Sequence, residues 1–160
     1  MAGSKKCKRN NVNKQPKVAQ LPNRLGVQCE KDPDNFYDMY PSWKFYKADI
    51  EQWSFDEKNI GDIYWQEIHP RLKGWENCKW KEILGDKKHN HPIEVDGLNP
   101  IARRRLVQLE IEAEDIYSLR FNGTHRMYGF INNGIFMVLW FDKDHGDNDT
   151  CVCRSKKKHT

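Results

Sequence analysis

Long apolar segments are missing from this 160-residue sequence, which has no run of about 18 apolar residues that could span a membrane. The N-terminus also lacks the apolar core of a secretory signal peptide. The five cysteines are odd in number and irregularly spaced, which does not suit a disulfide framework. These absences predict a cytoplasmic protein in a reducing setting, with no membrane partner.

A regular metal-binding motif is missing as well. Cys151 and Cys153 have His145 and His159 six residues to either side. Structural zinc ligands, however, usually come in two pairs, with roughly two to four residues between the members of each pair. We therefore expect neither a metal nor another cofactor.

Basic charge is concentrated at the two ends of the chain. The net charge is +4, yet residues 32–153 hold 15 of the 27 Lys and Arg and 22 of the 23 Asp and Glu, a net of −7. This pattern predicts a disordered basic arm over 1–31, a single domain over 40–147 and a basic tail over 148–160. The arm is interpreted either as a solvated tail or as an electrostatic tether to nucleic acid.

The first half of the domain is predicted to form one short strand and two helices. Apolar and polar residues alternate over Trp43–Lys47, which indicates an edge strand. Ser54 and Glu57 have the spacing of a capping box, and apolar residues then recur at helical intervals to about Pro70. A second, short helix is expected over Glu76–Leu84.

A loop and a third helix follow. Residues Lys87–Val95 are predicted to be a loop, and the string His89-Asn90-His91 within it lacks the dispersed arrangement of an HNH nuclease motif. Asn99 as a cap and Pro100 in the first turn begin a helix that runs to about Glu110. Consecutive arginines at positions 103–105 of this helix splay widely around it. We interpret them as a solvated face with salt bridges to acids such as Glu110 and Glu112.

The stretch 115–142 has the strongest local pattern. Three segments rich in aromatic and branched residues, 115–121, 125–131 and 135–141, are separated by turns in which Gly follows Asn. They predict a three-stranded antiparallel meander with Asn122–Thr124 as its first turn.

Alternation of side chains assigns the residues of this meander to two faces. The face predicted to pack on the helices contains Tyr117, Leu119, Phe121, Met127, Ile131, Ile135, Met137, Leu139 and Phe141. The other face contains Ser118, Arg120, Arg126, Tyr128 and Trp140. Arg120 then lies directly across from Arg126, which is destabilising unless an anion or a carboxylate lies between them. We therefore expect an anionic partner on this face.

The segment LRFNGTHRMYGFINNGIFMVLWFDKDH, preceded by helices, resembles the RelE/ParE superfamily of toxins from bacterial toxin–antitoxin systems, over about residues 43–145. The resemblance implies an α+β fold with N-terminal helices packed on a curved antiparallel sheet that ends in a three-stranded meander. It implies a RelE-like endoribonuclease that cuts mRNA, usually on the ribosome, without a metal; the ParE branch acts on gyrase instead. The implied partners are RNA or the ribosome and an antitoxin protein that masks the same surface.

Four residues of this segment suit metal-independent RNA cleavage. That reaction needs a base for the 2′-hydroxyl, a cation beside the phosphate and an acid for the leaving 5′-oxygen. We expect Arg120 and Arg126 to clamp the phosphate, His145 to act as acid or base, and Tyr128 to stack on a base or orient the phosphate. The neighbouring aspartates are expected to raise the pKa of His145.

Another interpretation stays open. Arg120 and Arg126 can instead pair with acids from the helices, and His145 can be an ordinary loop residue. The chain would then be a non-catalytic module of the same fold that binds RNA, the ribosome or a protein. An enzyme requires His145 to lie close to the sheet face that carries Arg120 and Arg126, called here the arginine face.

Overall fold

A five-stranded mixed sheet forms the centre of this α+β fold. The computed structural model describes residues 35–146 and 150–153, so the predicted arm over 1–31 and most of the predicted tail lie outside the described residues. The strands are β1 Ser42–Lys44, β2 Asn90–Glu94, β3 Asp115–Arg120, β4 Arg126–Asn132 and β5 Ile135–Asp142. Their order across the sheet is β1-β5-β4-β3-β2. β1 runs parallel to β5 at one edge, and the other neighbours are antiparallel.

The predicted meander over 115–142 is confirmed. Across the first turn, Arg120 pairs with Arg126 as expected. At the second turn, Asn133 and Gly134 both have positive φ, 51° and 78°. This is the conformation of a two-residue hairpin loop, in which Asn-Gly is strongly favoured. Local turn chemistry therefore sets this part of the sheet.

A β-bulge changes which residues of β5 face the helices. Tyr128 pairs with Trp140, whereas Gly129 pairs with Val138, so Leu139 is the extra residue. The prediction that Leu139 lies on the helix-facing side was therefore wrong. Leu139 packs on the opposite side with Trp140, and Val138 faces the first three helices in its place.

The same shift continues toward the start of β5. Phe136 packs against the helices, in place of the predicted Ile135 and Met137. Gly129 makes the close approach possible, since a Cβ there would lie 2.2 Å from the carbonyl oxygen of Met137. The bulge therefore requires glycine at this position.

β2 was missed by the sequence prediction, which placed a loop over Lys87–Val95. Residues Asn90–Glu94 instead form an edge strand antiparallel to β3, with His91 opposite Ser118. Pro92 lacks an N–H for pairing, but an edge strand tolerates proline because one of its sides has no neighbouring strand. The partner strand is more than 20 residues away in the chain, so no local turn signal marks this pairing.

The first predicted helix is broken into three pieces. These are α1 Glu57–Ile60, a π-helix Tyr64–Ile68, and α2 His69–Trp75. Gly61, with φ 48°, separates the first two pieces. The continuous helix expected up to Pro70 was therefore wrong. Pro70 instead lies in the first turn of α2, where its missing N–H is tolerated.

Asp56 caps α1, not Ser54. Its carboxylate accepts the backbone N–H of Asn59 at 2.9 Å, so the capping box predicted from Ser54 and Glu57 does not form. The remaining two helices lie within their predicted limits. They are α3 Trp80–Leu84 and α4 Pro100–Gln108.

Helices cover both faces of the sheet. One apolar cluster joins α1–α3 to the face that carries Leu119 and Met127. The second joins Ala102 and Leu106 of α4 to the face that carries Tyr128. The prediction that all helices pack on one face was wrong for α4. The arginine face is therefore partly covered by α4.

The packed part of the chain extends past both predicted domain limits. Phe36, in a 3₁₀ turn over Asn35–Asp38, packs against the first cluster. Val152 is fully buried in the second cluster. No helix within 35–146 and 150–153 combines the length and apolar character needed to cross a bilayer.

One cysteine departs from the prediction of reduced thiols. Cys78 is fully buried and disulfide-bonded, whereas Cys153 carries a free thiol.

Candidate functional site

The opposed arginines share a backbone acceptor in the turn between β3 and β4. Arg120 Nε donates to the carbonyl oxygen of Asn122 at 3.0 Å. Arg126 Nη1 donates to the same oxygen, and to the carbonyl oxygen of His125 at 3.0 Å. The turn therefore holds both guanidinium groups on one side of the sheet. Arg126 is 8% exposed and Arg120 is half-buried, so the two guanidinium groups differ in their access to a ligand.

Neither arginine has a carboxylate partner among the described residues, since no ion pair there involves them. Burial lowers the pKa of Arg126, and the neighbouring positive charge of Arg120 lowers it further. The interpretation that both arginines pair with acids from the helices is therefore not supported. A bound anion would relieve the repulsion between them.

Asp142 lies opposite Arg126 across β4 and β5 but serves another purpose. Its two carboxylate oxygens accept the backbone N–H groups of Asp144 at 2.8 Å and Val152 at 2.9 Å. Burial raises the pKa of this carboxyl. Asp142 therefore fixes both ends of the segment that carries His145.

His145 is brought to the arginine face, as an enzyme would require. Its backbone N–H donates to the carbonyl oxygen of Thr124 at 3.1 Å, which joins its loop to the arginine-holding turn. Its Nδ1 lies 3.2 Å from the hydroxyl of Tyr128. The two sequence-predicted groups are thus in direct contact.

The pKa of His145 is lowered, not raised as predicted. Burial is the main cause, and the positive charges of Arg126, His91 and Arg120 act in the same direction. The predicted effect of the nearby aspartates is overridden because the described ones do not contact the ring. At neutral pH the imidazole is therefore mainly uncharged and able to accept a proton.

Tyr128 is completely buried, so it cannot stack on a nucleobase as predicted. Its hydroxyl lies 3.0 Å from Cys153 Sγ as well as 3.2 Å from His145 Nδ1. Burial raises the pKa of Tyr128 and raises that of Cys153 to about 11, so both groups stay protonated at neutral pH. Tyr128 therefore orients the histidine.

This network permits two proton arrangements. If the Tyr128 hydroxyl donates to Cys153 Sγ, its oxygen accepts Nδ1–H of His145, and Nε2 keeps a lone pair. If the thiol donates to the tyrosine oxygen, the hydroxyl donates to Nδ1 and the proton resides on Nε2. In the first arrangement the outward nitrogen of His145 is a base.

Cys153 and His91 were not predicted as site residues. Cys153 appeared in the sequence only as part of a rejected zinc pattern. Within the described residues, no three His, Cys, Asp or Glu side chains are arranged to hold a metal ion. His91 was assigned to a loop, so its place on the sheet could not be inferred.

The back of the arginine-holding turn is fixed from the other side of the sheet. Glu67, in the π-helix, accepts from the Asn122 side-chain amide at 3.0 Å and lies 2.6 Å from His125 Nδ1. The side-chain oxygen of Asn122 accepts the backbone N–H of Thr124 at 3.1 Å. The carbonyl groups that hold the arginines are therefore rigidly placed.

Arg105 of α4 belongs to the structural part of the fold. Arg105 donates from Nε and Nη2 to the carboxylate of Asp49 at 2.6 and 2.9 Å, and Nη1 lies 3.0 Å from Glu51. The salt bridge predicted for this helix forms, but not to Glu110 or Glu112. Arg105 is therefore unavailable to an anionic ligand.

A separate cavity of about 350 Å³ lies between α1 and the π-helix. Its lining includes Asp56, Glu57 and Asp62 together with the aromatic rings of Phe55, Tyr64 and Trp65. Three carboxyl groups would repel an anionic ligand. The arginine face is therefore the better candidate for binding RNA.

Comparison with known proteins identifies no relative: no family model, no curated protein and no solved structure matches this chain. The function is therefore inferred from the geometry around Arg120, Arg126, Tyr128 and His145.

Proposed function

We propose that this chain is a RelE-like toxin, an endoribonuclease that cleaves mRNA without a metal. The observation that supports this most is the convergence of two arginines and one histidine on the same side of the sheet. The arginines have no ion-pair partner in the described part of the chain. The histidine has a lowered pKa and an Nδ1 held by a buried tyrosine.

His145 is the base in this proposal. Its Nε2 takes the proton of a ribose 2′-hydroxyl, and the 2′-oxygen attacks the adjacent phosphorus. The bond from phosphorus to the 5′-oxygen then breaks, and the leaving oxygen gains a proton. The products are a 2′,3′-cyclic phosphate and a 5′-hydroxyl end.

Arg120 is the cation that contacts the phosphate. It is less buried than Arg126, and its Nη groups have no partner among residues 35–146 and 150–153. Arg126, held beneath it by two carbonyl groups, adds positive potential. Together they stabilise the negative charge that develops on the non-bridging oxygens. This stabilisation is strongest in the transition state, where that charge is largest.

A protein antitoxin is the second proposed partner. In RelE-like systems, whose toxins this chain resembles, the antitoxin masks the RNA-binding surface of the toxin. Here it would cover Arg120 and His145 and satisfy the arginines with its own acidic groups.

A non-catalytic RNA- or ribosome-binding module is the alternative function. The burial of Arg126 favours it, because a largely enclosed arginine can attract RNA without contacting a reacting phosphate. Both functions require the same basic face, and they differ in whether His145 transfers a proton.

Replacement of the base separates these functions. His145→Ala is expected to lower cleavage about 10²- to 10⁴-fold with little change in RNA affinity, because only proton transfer is lost. Cleavage is measured on translating ribosomes and on free mRNA, with and without EDTA, which we expect to have no effect. His89→Ala is the matched control, since His89 pairs with Asp86 at 2.7 Å, outside the site.

One result would contradict the role of His145, and another would contradict the ribonuclease function. Equal cleavage by the wild type and His145→Ala would remove His145 from the mechanism. RNA binding without cleavage by the wild type, on ribosomes as well as on free mRNA, would favour the binding module.

A further inference from the structure

We propose that His91 is the second proton-transfer residue of this site and donates the proton to the leaving 5′-oxygen. The assignment rests on the proposed ribonuclease function and deepens it. It divides the two proton transfers between two histidines, so that His145 acts on the 2′-oxygen and His91 acts on the 5′-oxygen.

The strand register places His91 on the arginine face. His91 pairs with Ser118 of β3, and Ser118 pairs with Tyr128 of β4. Directly paired residues project to the same face of a sheet. Adjacent strands lie about 4.8 Å apart, so the Cα atoms of His91 and Tyr128 are separated by about 10 Å. The Tyr128 hydroxyl holds His145 on this face.

The charges of the site support the same arrangement. The positive charge of His91 lowers the pKa of His145, acting together with the charges of Arg126 and Arg120. These four groups therefore lie on the same side of the sheet, with both arginines and His91 within electrostatic range of His145. In the proposed complex, a phosphodiester bound to Arg120 would lie between the two imidazole rings.

One nitrogen of His91 is fixed by the backbone. Its Nδ1 lies 3.1 Å from the carbonyl oxygen of Pro92, which accepts only if Nδ1 carries hydrogen. Nε2 is then the nitrogen that exchanges protons. The following proline also restricts the backbone of His91 to extended conformations, so the ring is held on a rigid part of the edge strand.

Two other histidines of the described chain have carboxylate partners. His89 pairs with Asp86 at 2.7 Å, and His125 pairs with Glu67 at 2.6 Å. His91 has no carboxylate partner in the described residues. A carboxylate there would compete with the phosphate for contact with the ring.

The proton balance of the reaction is then complete. His145 Nε2 gains the 2′-hydroxyl proton as the bond between the 2′-oxygen and phosphorus forms. The bond between phosphorus and the 5′-oxygen breaks, and that oxygen takes the proton of His91 Nε2. Exchange with water restores the neutral His145 and the protonated His91.

A substrate with a better leaving group tests this role. The wild-type cleavage position is mapped first, and the 5′-oxygen at that position is then replaced by sulfur. The sulfur leaves as a thiolate and does not need an acid. We expect His91→Gln to lower cleavage of ordinary RNA about 10²- to 10⁴-fold but to cleave the sulfur substrate within about tenfold of the wild type.

His145→Ala is expected to stay impaired on both substrates, because the 2′-hydroxyl still needs a base. His89→Gln controls for removing a histidine from the same segment. His91→Asn, which keeps a donor for the Pro92 carbonyl group, is measured in parallel, and thermal unfolding establishes that both variants fold. RNA binding by fluorescence anisotropy should be unchanged in all of them.

Three results would overturn the assignment. Wild-type cleavage of ordinary RNA by the folded His91 variants would exclude any role in proton transfer. Equal loss on both substrates would make His91 a structural residue, with the proposed ribonuclease function still standing. An absence of cleavage of either substrate by the wild type would overturn the ribonuclease function together with the role of His91.

Discussion

Arg105 and Arg126 both lie on the α4 side of the sheet but in opposite electrostatic surroundings. Arg105 makes two hydrogen bonds to Asp49, which is 1% exposed, and a third contact to Glu51. Arg126 is also largely buried, yet its donors meet only backbone carbonyl groups, and the positive charge of Arg120 lowers its pKa. Asp49 and Glu51 neutralise the charge of Arg105, whereas no carboxylate of the described residues forms an ion pair with Arg126.

The pKa shifts of the two arginines have opposite signs. Hydrogen bonding to Asp49 raises the pKa of Arg105. Burial and the charge of Arg120 lower the pKa of Arg126. A cation whose pKa is lowered by folding destabilises the fold while it is charged. Arg105 therefore contributes to stability, whereas the charge of Arg126 opposes it.

Of the variants considered, Arg105→Met should lower the free energy of unfolding most. This change keeps the volume of the side chain but leaves the Asp49 carboxylate buried without its cation. Breaking a buried pair on one side costs about 3 kcal/mol or more. We expect chemical denaturation to show a free energy of unfolding lower by about 3 kcal/mol at pH 7.

The pH dependence of this loss provides its control. Burial would raise the pKa of Asp49, but its hydrogen bonds to Arg105, Trp140 and backbone N–H groups outweigh burial and lower it. Its contribution is therefore present above the unfolded pKa of about 3.9 and is lost as pH falls through the lower folded value. The gap between wild type and variant should narrow below about pH 4. A gap that stays constant with pH would contradict the Asp49 pairing.

Arg126→Met should lower the free energy of unfolding much less than Arg105→Met. It removes two hydrogen bonds to carbonyl groups but also removes a desolvated charge and its repulsion with Arg120. These effects offset each other, so we expect unfolding free energies within about 1 kcal/mol of the wild type. A loss as large as that of Arg105→Met would mean that Arg126 is as structural as Arg105.

Local sequence signals predicted the part of the fold that carries the arginines. The Asn-Gly turns and alternating residues of 115–142 fix strand pairing over short distances in the chain, so Arg120 and Arg126 could be placed opposite each other. Asn99 and Pro100 likewise marked the start of α4, where the Asn99 side chain accepts from the N–H of Ile101 at 2.9 Å.

The rest depends on contacts between distant residues. β2 pairs with β3 despite Pro92, and α4 covers a face that local patterns showed as free. The bulge at Gly129 exchanges Val138 for Leu139 without a change in residue type that could reveal it. His91 and Cys153 enter the site through these long-range contacts. Their roles could not be derived from sequence spacing.

We expect the arginine face to bind phosphate and the exposed arginine of α4, Arg104, not to bind it. The most direct measurement is a salt titration of RNA binding for the wild type, Arg120→Ala and Arg104→Ala, each of which removes one positive charge. Arg104 is exposed on α4 and serves as the matched control. We expect Arg120→Ala to weaken binding and to reduce the slope of log affinity against log salt by about 0.7, the loss of one phosphate contact on single-stranded RNA. Arg104→Ala should leave the slope unchanged, and equal slopes for all three proteins would contradict this expectation.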